Sequence, residues 1–270
     1  MRRYSTSCTV GLCKPALLTL TVLMCAVSCS SNDILENETT DTNFIINNIE
    51  HIVYHEFGHA IIDQYKLPVI GQEEDAADTF ATLHMIKTHK KQAADKLWDV
   101  SEAMVIMHDQ SEADGEQAFY DEHDLDIQRA YRIICHAYGI DPENNINAAD
   151  WIELPEERRE TCEGDAAIAQ DSWETILKDT SPRKGDKSAS IAVRLEPSKK
   201  YAAEAALLQS SEVLAQIGKL MSQHFAWPYK TTLIAKECGE ANAFYDIDNH
   251  SVELCYELIS DLYDIEKERQ

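Results

Sequence analysis

A long apolar segment that carries three polar side chains constrains this chain more than any other feature. Starting near Asn43, apolar residues occupy more than one face of the expected α-helix, so the helix should be largely buried. Polar groups in such a helix need partners, because an unpaired buried polar group is costly. Yet His55, Glu56 and His59 all fall within five positions of the segment. Its apolar residues are Ile45, Ile46, Ile49, Ile52, Val53, Ala60, Ile61 and Ile62.

His55 and His59 are four residues apart, which places both imidazoles on one side of a helix, one turn apart. With Glu56 they form the H-E-x-x-H pattern, in which two histidines bind zinc and the glutamate acts as general base. We therefore expect one Zn²⁺ per chain and a zinc-dependent hydrolase, a peptidase above all, that uses metal-activated water with Glu56 as the base. Gly58 either leaves room beside the two rings or marks a tight crossing of two helices.

A second helix is expected after the turn at Leu67-Pro68-Val69-Ile70-Gly71, from Glu73 to about Lys87. Within it, Glu74 and Asp78 are four residues apart, so two like charges share one face and repel each other. A bound cation would remove that repulsion. The arrangement resembles the gluzincin pattern, which implies that Glu74 is the third metal ligand and that Asp78 holds the Nδ1–H of His55 or His59. Glu73 and Asp75 remain open as alternative ligands.

Several motifs spread along the chain resemble one family of exported bacterial proteins, described as "putative metallopeptidase" (domain of unknown function 4344). The resemblance implies an H-E-x-x-H, zincin-like protein over nearly the whole chain. The motifs are H-E-F-G-H-A at residues 55–60, Leu67-Pro68-Val69 with Gly71, E-E-D-A-A-D at residues 73–78, Asp121-Glu122-His123 with Asp126, Gln128 and Arg129, Leu154-Pro155-Glu156 with Arg158 and Cys162, C-G-E at residues 238–240 with N-A-F at residues 242–244, and Cys255-Tyr256-Glu257-Leu258.

His123 is the candidate for a second catalytic role. A peptidase needs a donor that stabilises the oxyanion formed as water attacks the carbonyl. We expect His123 to supply it, with Arg129 or Tyr120 as substitutes. The alternative is that Asp121, Asp126 and Arg129 simply cap and bridge the start of a helix.

Four cysteines follow Cys29, namely Cys135, Cys162, Cys238 and Cys255. An even number in an exported protein indicates two disulfides, and four cysteines allow three pairings. We favour the local pairing Cys135–Cys162 and Cys238–Cys255. A four-cysteine zinc site is not expected, since no C-x-x-C spacing occurs.

The N-terminus is typical of a targeting segment. Basic residues precede an apolar stretch, residues 16–27, that is too short for a mature membrane span. Small residues and Cys29 follow, which resembles a bacterial lipoprotein signal: residues 1–28 would be the signal peptide, Cys29 would carry lipid, and residues 29–42 would form a flexible tether. By analogy with lipoprotein sorting, Ser30 rather than aspartate after the cysteine favours the outer membrane. The expected location is the bacterial cell envelope, lipid-anchored or periplasmic, and ordinary secretory cleavage is the alternative.

The charge of the chain limits its partners. The formal net charge is −24, and removal of residues 1–28, which hold three basic and no acidic residues, leaves −27. So acidic a surface argues against binding nucleic acid or anionic lipid. We expect a peptide or protein substrate, with membrane contact only through the N-terminal lipid.

The expected fold class is α+β, mainly α. A helical, zincin-like metal-binding core over residues 43–180 should be followed by a smaller α/β part over residues 187–270 with a short antiparallel sheet, packed on the core. His89 and His108 should lie at the surface. Three further helices are expected in the core: one at about 92–108, one that begins within residues 119–129 and ends near residue 138, and one at 155–179. The C-terminal part should contain a strand at 188–195, a helix at 201–225, a strand at 231–235, and a hairpin of residues 243–245 and 251–256.

Two other interpretations remain to be weighed. Glu56-x-x-His59 also fits the motif of di-metal helical bundles, which need a second Glu-x-x-His. None of the other nine histidines has glutamate three residues before it, so this interpretation is weak. A non-catalytic envelope lipoprotein that keeps a metal for stability is the stronger alternative, because the usual substrate strand does not precede the motif helix. The edge strand near Tyr245 is then the place to pair with a peptide. His51 should line the cleft wall or be exposed.

Overall fold

A computed structural model describes residues 40–115, 117–182 and 189–269 of the chain. The expected signal peptide, Cys29 with its lipid, and nearly all of the tether lie outside the described residues. None of the helices in the described ranges is long and apolar enough to cross a membrane.

The first half of the described chain is helical. The expected helices are present at nearly the expected positions, and one short helix, α5, was not predicted from the sequence. Its start was readable, since Asp141 accepts a hydrogen bond from Asn144 N and Pro142 occupies the first turn. The helices are α1 (Thr42–Tyr65), α2 (Glu73–His89), α3 (Ala93–Asp114), α4 (Asp126–Ile140), α5 (Pro142–Trp151) and α6 (Glu156–Ile176).

Helix α1 lies at the centre of the fold. Asp41 caps it by accepting hydrogen bonds from Asn43 N and Phe44 N, and it ends at Lys66, which adopts the left-handed conformation. Neighbouring elements cover it on several sides, including α2 and α3. Its apolar faces are therefore buried all round, as the sequence indicated. The residues of α1 with no exposed surface include Phe44, Ile45, Ile49, Val53, Phe57 and Ile61.

The second half combines short helices with a sheet. The expected helix over 201–225 is two helices, because Glu212 between them takes a positive φ of 56°. The predicted surface positions of His89 and His108 are also corrected: both are partly buried, and His89 binds Glu50. The elements are β1 (Ile191–Leu195), α7 (Ala202–Ser211), α8 (Val213–His224), β2 (Thr231–Lys236), β3 (Ala243–Asp246), β4 (Ser251–Cys255) and α9 (Tyr256–Lys267).

The sheet has the order β1-β2-β4-β3. The α+β, mainly α fold class is confirmed, but the prediction of an antiparallel sheet is only partly right. Strands β1, β2 and β4 run parallel, and only β3 and β4 pair antiparallel. The chain returns from β1 to β2 through α7 and α8, and such a helical crossover makes the two strands parallel. The expected hairpin is the β3–β4 pair.

The sheet packs against α1 through β3 and β4, and all described residues belong to one compact unit. The two ends of that unit meet. The backbone N–H of Asp41 donates to Glu266 Oε1 at 2.8 Å. Arg269 donates to carboxylates of Asp41, Asp99 and Glu102 at 2.7–3.1 Å. The start of α1 and the end of α9 are therefore held side by side.

Two disulfides form in the favoured pairing. Cys135–Cys162 joins α4 to α6, and Cys238–Cys255 joins the loop after β2 to the end of β4. The contact between α4 and α6 is also close in the backbone, since a Cβ on Gly139 would overlap the carbonyl of Cys162. Each bond closes a loop and is expected to stabilise the fold by on the order of 3 kcal/mol.

Candidate metal centre

The two histidines of α1 meet one carboxylate oxygen. His55 Nε2 lies 3.0 Å from Glu74 Oε2, and His59 Nε2 lies 3.2 Å from the same oxygen. The two Nε2 atoms are 3.2 Å apart. The two rings are one helical turn apart on α1, and the first turn of α2 lies opposite them. Three possible metal-ligand atoms therefore meet at one point. His55, His59 and Glu74 are the three ligands expected from the sequence, and their side chains lie close enough together to hold one metal ion.

A close crossing of α1 and α2 sets this distance. Gly58 lies between the two histidines and faces Ala77, which lies between Glu74 and Asp78. A Cβ on Gly58 would stand 2.9 Å from Ala77 Cα and 3.1 Å from Ala77 Cβ. Gly58 therefore marks a tight helix crossing, and that crossing carries the carboxylates up to the imidazoles.

Replacing Gly58 by alanine should therefore weaken metal binding although no donor atom is removed. The added methyl group must push α2 away from α1, and a ligand displaced by a few tenths of an ångström no longer matches a fixed coordination distance. We expect lower zinc affinity by competition with a chromophoric chelator. Gly164→Ala is the control, because a Cβ there meets nothing within 4 Å. Equal zinc affinity in Gly58→Ala and the wild type would contradict this role.

Carboxylates hold the outer nitrogens of both rings. His55 Nδ1 donates to Asp78 Oδ1 at 2.8 Å, and His59 Nδ1 donates to Glu73 Oε1 at 2.9 Å. Asp78 thus lies at His55, one of the two positions expected for it. Glu73, an alternative ligand, contacts the outer side of His59, and Asp75 binds Arg132 instead.

This donor set fits a divalent cation. With protons on both Nδ1 atoms, each Nε2 turns a lone pair towards Glu74 Oε2, which is itself an acceptor. Three such atoms within 3.2 Å repel one another unless a proton or a cation lies between them. Tetrahedral ligands at about 2.0–2.1 Å from zinc stand about 3.3 Å apart. His55, His59 and Glu74 would therefore hold a zinc ion with little movement.

Arg129 is the participant that sequence reasoning assigned differently. It donates from Nε to Asp78 Oδ2 at 2.8 Å and from Nη2 to Asp78 Oδ1 at 2.9 Å. Asp78 is 3% exposed, so this two-bond pair compensates a buried charge. The sequence alone suggests Arg129 as a substitute oxyanion donor or as part of a bridge at the start of a helix. Its contact with Asp126 Oδ1 is longer, at 3.5 Å, so its main partner is Asp78.

The charges of the cluster shift its pKa values strongly. Burial raises the pKa of Asp78, but the Arg129 guanidinium and the bond from His55 outweigh burial and lower it well below its usual range. Burial lowers the pKa of His55, but hydrogen bonds to Asp78 and Glu74 prevail and raise it to about 9. The pKa of His59 is raised mainly by Glu74, against burial. Hydrogen bonds from the three histidines, His123 first, lower the pKa of Glu74 despite burial.

Replacing Arg129 by lysine should lower zinc affinity by up to about 10–100-fold, the range for a changed partner of a metal ligand, because Arg129 acts on His55 through Asp78. Lysine keeps the charge but cannot make the two-bond contact, so Asp78 and the His55 ring lose their fixed orientation. Arg132→Lys is the matched control on the same helix, since Arg132 binds Asp75 and Asp124 rather than Asp78. Equal zinc affinity in both variants would contradict the role of Arg129.

Glu56 lies beside the cluster without a partner. Its side chain is 7% exposed, and its carboxylate makes no hydrogen bond within the described part of the chain. Burial raises its pKa against the pull of His55 and His59. It lines a cavity of about 540 Å³ together with His51, His55 and His123. His51, 1% exposed, is thus a buried residue of the cleft wall, and burial lowers its pKa to about 4.

His123 reaches the cluster from the loop before α4. Its Nε2 lies 2.8 Å from Glu74 Oε2 and its Nδ1 lies 3.2 Å from Asp121 Oδ1. Its ring stacks on His55, with centroids 5.8 Å apart, and its side chain is 41% exposed. The structure therefore places His123 beside the candidate metal ligands, in contact with Glu74. Tyr120, named as a substitute donor, is 92% exposed.

Comparison with known proteins adds one finding to this geometry. A family model described as "Putative metallopeptidase" (DUF4344) matches residues 11–177 and 195–270. No curated protein and no solved structure gave a significant match. Since the matched residues cover most of the sequence, the chain belongs to the DUF4344 family of "putative metallopeptidase" proteins.

Proposed function

We propose that this protein is a zinc-dependent peptidase in which His55, His59 and Glu74 bind one Zn²⁺ per chain. The observation that carries the proposal is the meeting of two Nε2 atoms and Glu74 Oε2 within 3.2 Å of one another. Carboxylates already hold both Nδ1 atoms, so the rings are oriented to bind a metal through Nε2. The "metallopeptidase" description of the family agrees with it.

A zinc ion held there would polarise a peptide carbonyl and lower the pKa of bound water to about 7. Glu56 would act as the general base. It takes the proton of the attacking water on its carboxylate and then delivers that proton to the nitrogen of the leaving amine. Its burial and raised pKa support this role, because a carboxylate that no partner holds can accept and release a proton.

We propose His123 as the donor that stabilises the developing oxyanion. Its exposed ring stacks on His55 and lies 2.8 Å from the carboxylate of Glu74, so a short rotation would point Nε2–H at a substrate beside the metal. His123→Ala should lower kcat while zinc content stays at one per chain. Loss of zinc in this variant would make His123 a holder of Glu74 instead.

The substrate backbone would pair with β3. This strand lies at one edge of the described sheet, and Asn242 and Ala243 line the same cavity as Glu56. An extended peptide can add to a free sheet edge through main-chain hydrogen bonds. The sheet follows the H-E-x-x-H helix in the sequence, and in space it packs on that helix.

The test is a cleavage screen on the purified chain from residue 29 onward, loaded with zinc. A peptide library is incubated with the zinc form and with the form stripped by a chelator, and products are identified by mass spectrometry. We expect cleavage by the zinc form alone, restored when zinc is returned. Tight zinc binding without any cleavage would refute the peptidase and favour a metal-stabilised binding protein.

We also propose that the protein is exported and anchored in the cell envelope through lipid on Cys29. The two disulfides support export, because such bonds persist in oxidising compartments. Mass spectrometry of the protein from bacterial membranes checks this. A lipidated N-terminal cysteine at position 29 is the expected result, and an unmodified N-terminus would contradict the anchor.

A further inference from the structure

The cavity that begins at Glu56 extends well beyond the metal cluster. Its volume of about 540 Å³ is large enough for a substrate side chain and part of a backbone. Helices α1, α3 and α9 supply its apolar walls. The residues of these walls include Ile52, Val100, Met104, Met107, Leu258 and Leu262.

Carboxylates accumulate in the same lining. Besides Glu56 it contains Asp126, Asp261 and Asp264, whereas its only lysine or arginine is Arg129. Arg129 is engaged by Asp78 through two hydrogen bonds. Of the acidic residues, Asp264 binds Lys267 at 2.7 Å. The lining therefore combines apolar walls with four carboxylates, while its cationic groups are Arg129 and the imidazoles of His55 and His123, whose pKa values are raised.

Asp261 is the least compensated of these acids. It makes no hydrogen bond or ion pair within the described ranges, and Asp126 makes only the 3.5 Å contact with Arg129. Burial raises the pKa of Asp261, with Asp264 adding to it, and burial raises the pKa of Asp126. Asp261 and Asp264 are exposed to solvent, so they are accessible to a cationic group that enters the cavity, and they would attract it.

Glu56 provides an independent sign that a ligand enters here. The residue as a whole is 7% exposed, and its carboxylate has no hydrogen-bond partner among the described residues. It faces the same cavity. Burying an unpartnered acid is costly, which indicates a group that meets its partner only when substrate arrives. The acidic pocket is thus continuous with the reacting position.

Building on the proposed peptidase function, we propose that this cavity is a specificity pocket for a lysine or arginine side chain of the substrate. The apolar walls would cover the aliphatic stem, and Asp261 with Asp126 would bind the cationic head group. A leucine side chain would fill the walls but leave these carboxylates unpaired, and a glutamate would be repelled. A free N-terminal α-amine of the substrate carries a positive charge but has no aliphatic stem for the apolar walls to cover.

The pocket is tested by binding and by cleavage. N-acetylated fluorescent peptides that differ at one position, with lysine, arginine, leucine or glutamate, are titrated into zinc-loaded Glu56→Gln protein and are also given to the active enzyme. We expect lysine and arginine peptides to exceed the leucine peptide at least tenfold in affinity and in kcat/KM. Asp261→Asn should reduce that ratio severalfold.

Asp171→Asn is the matched control, because Asp171 is an exposed acid on α6 and is not part of the lining. It should leave the lysine-to-leucine ratio unchanged. Equal binding of leucine and lysine peptides would overturn the pocket while cleavage still supports the peptidase. Preferential lysine binding without any cleavage would sustain the pocket and refute the peptidase. The same peptides without the N-acetyl group are titrated as well; if only these bind well, the assignment to a side chain is wrong.

Discussion

Replacing Glu56 by glutamine is expected to lower turnover by about 10²–10⁴-fold, the usual contribution of a general base. Glutamine has the same shape but cannot accept the proton of the attacking water. Since Glu56 is not one of the three candidate metal ligands, the variant should still bind one zinc per chain. Steady-state kinetics on a cleaved peptide, with zinc measured by mass spectrometry, gives both quantities. Undiminished turnover would overturn Glu56 as the base.

The same substitution should not destabilise the fold. Glu56 is 7% exposed as a whole residue, and its carboxylate has no hydrogen-bond partner in the described chain, so a neutral amide at that position breaks no hydrogen bond and reduces the cost of a largely buried charge. The control is Glu50→Gln on the same helix. Glu50 is 5% exposed but binds His89 and Lys96, so its replacement should lower the melting temperature and leave turnover intact. Opposite effects of two buried glutamates on one helix would separate catalysis from structure.

Zinc affinity should rise at least about 100-fold between pH 6 and pH 8. In the metal-free protein the pKa of His55 is raised to about 9 and that of His59 is also raised, so a proton occupies the cluster throughout this range. Zinc must displace it, because only the neutral imidazole binds. Each displaced proton makes the affinity rise tenfold per pH unit below its pKa. The rise should therefore continue beyond pH 8 and level off near pH 9.

A histidine with the ordinary pKa of about 6.5 would give a curve that levels off near pH 7. Competition with a chelator of known pH dependence measures the affinity. The control is Asp78→Asn, which removes a carboxylate that raises the pKa of His55, so its curve should level off at lower pH. A flat affinity between pH 7 and pH 8.5 in the wild type would contradict the protonated cluster.

The local parts of the site were predictable from the sequence because spacing along a helix fixes which side chains share a face. The four-residue intervals of His55–His59 and Glu74–Asp78 therefore predicted two faces that could meet. What the sequence could not supply was the distance between these faces. Gly58 and Ala77 set that distance through a contact between two helices, and two interpretations of Gly58 were open until the structure showed this crossing.

Partners far apart in the chain were harder to infer. Arg129 is 51 residues from Asp78, and nothing in the local pattern distinguishes this pair from a bridge to Asp126. The strand directions in the sheet were missed for a related reason. Strands adjacent in sequence suggest hairpins, which holds for β3 and β4. Strand β2, however, pairs in parallel with β1 and β4, an order that long-range packing decides. The short helix α5 is different, because its capping residue and proline were visible.

The meeting of the two ends of the described residues has a practical consequence. Because Asp41 is bound to both Glu266 and Arg269, a support linked to the protein at residue 40 or at residue 269 would hold the compact unit at one shared position. Immobilisation at either residue should thus present the same face to the solution, and both sensor surfaces should record the same kinetics for peptide capture.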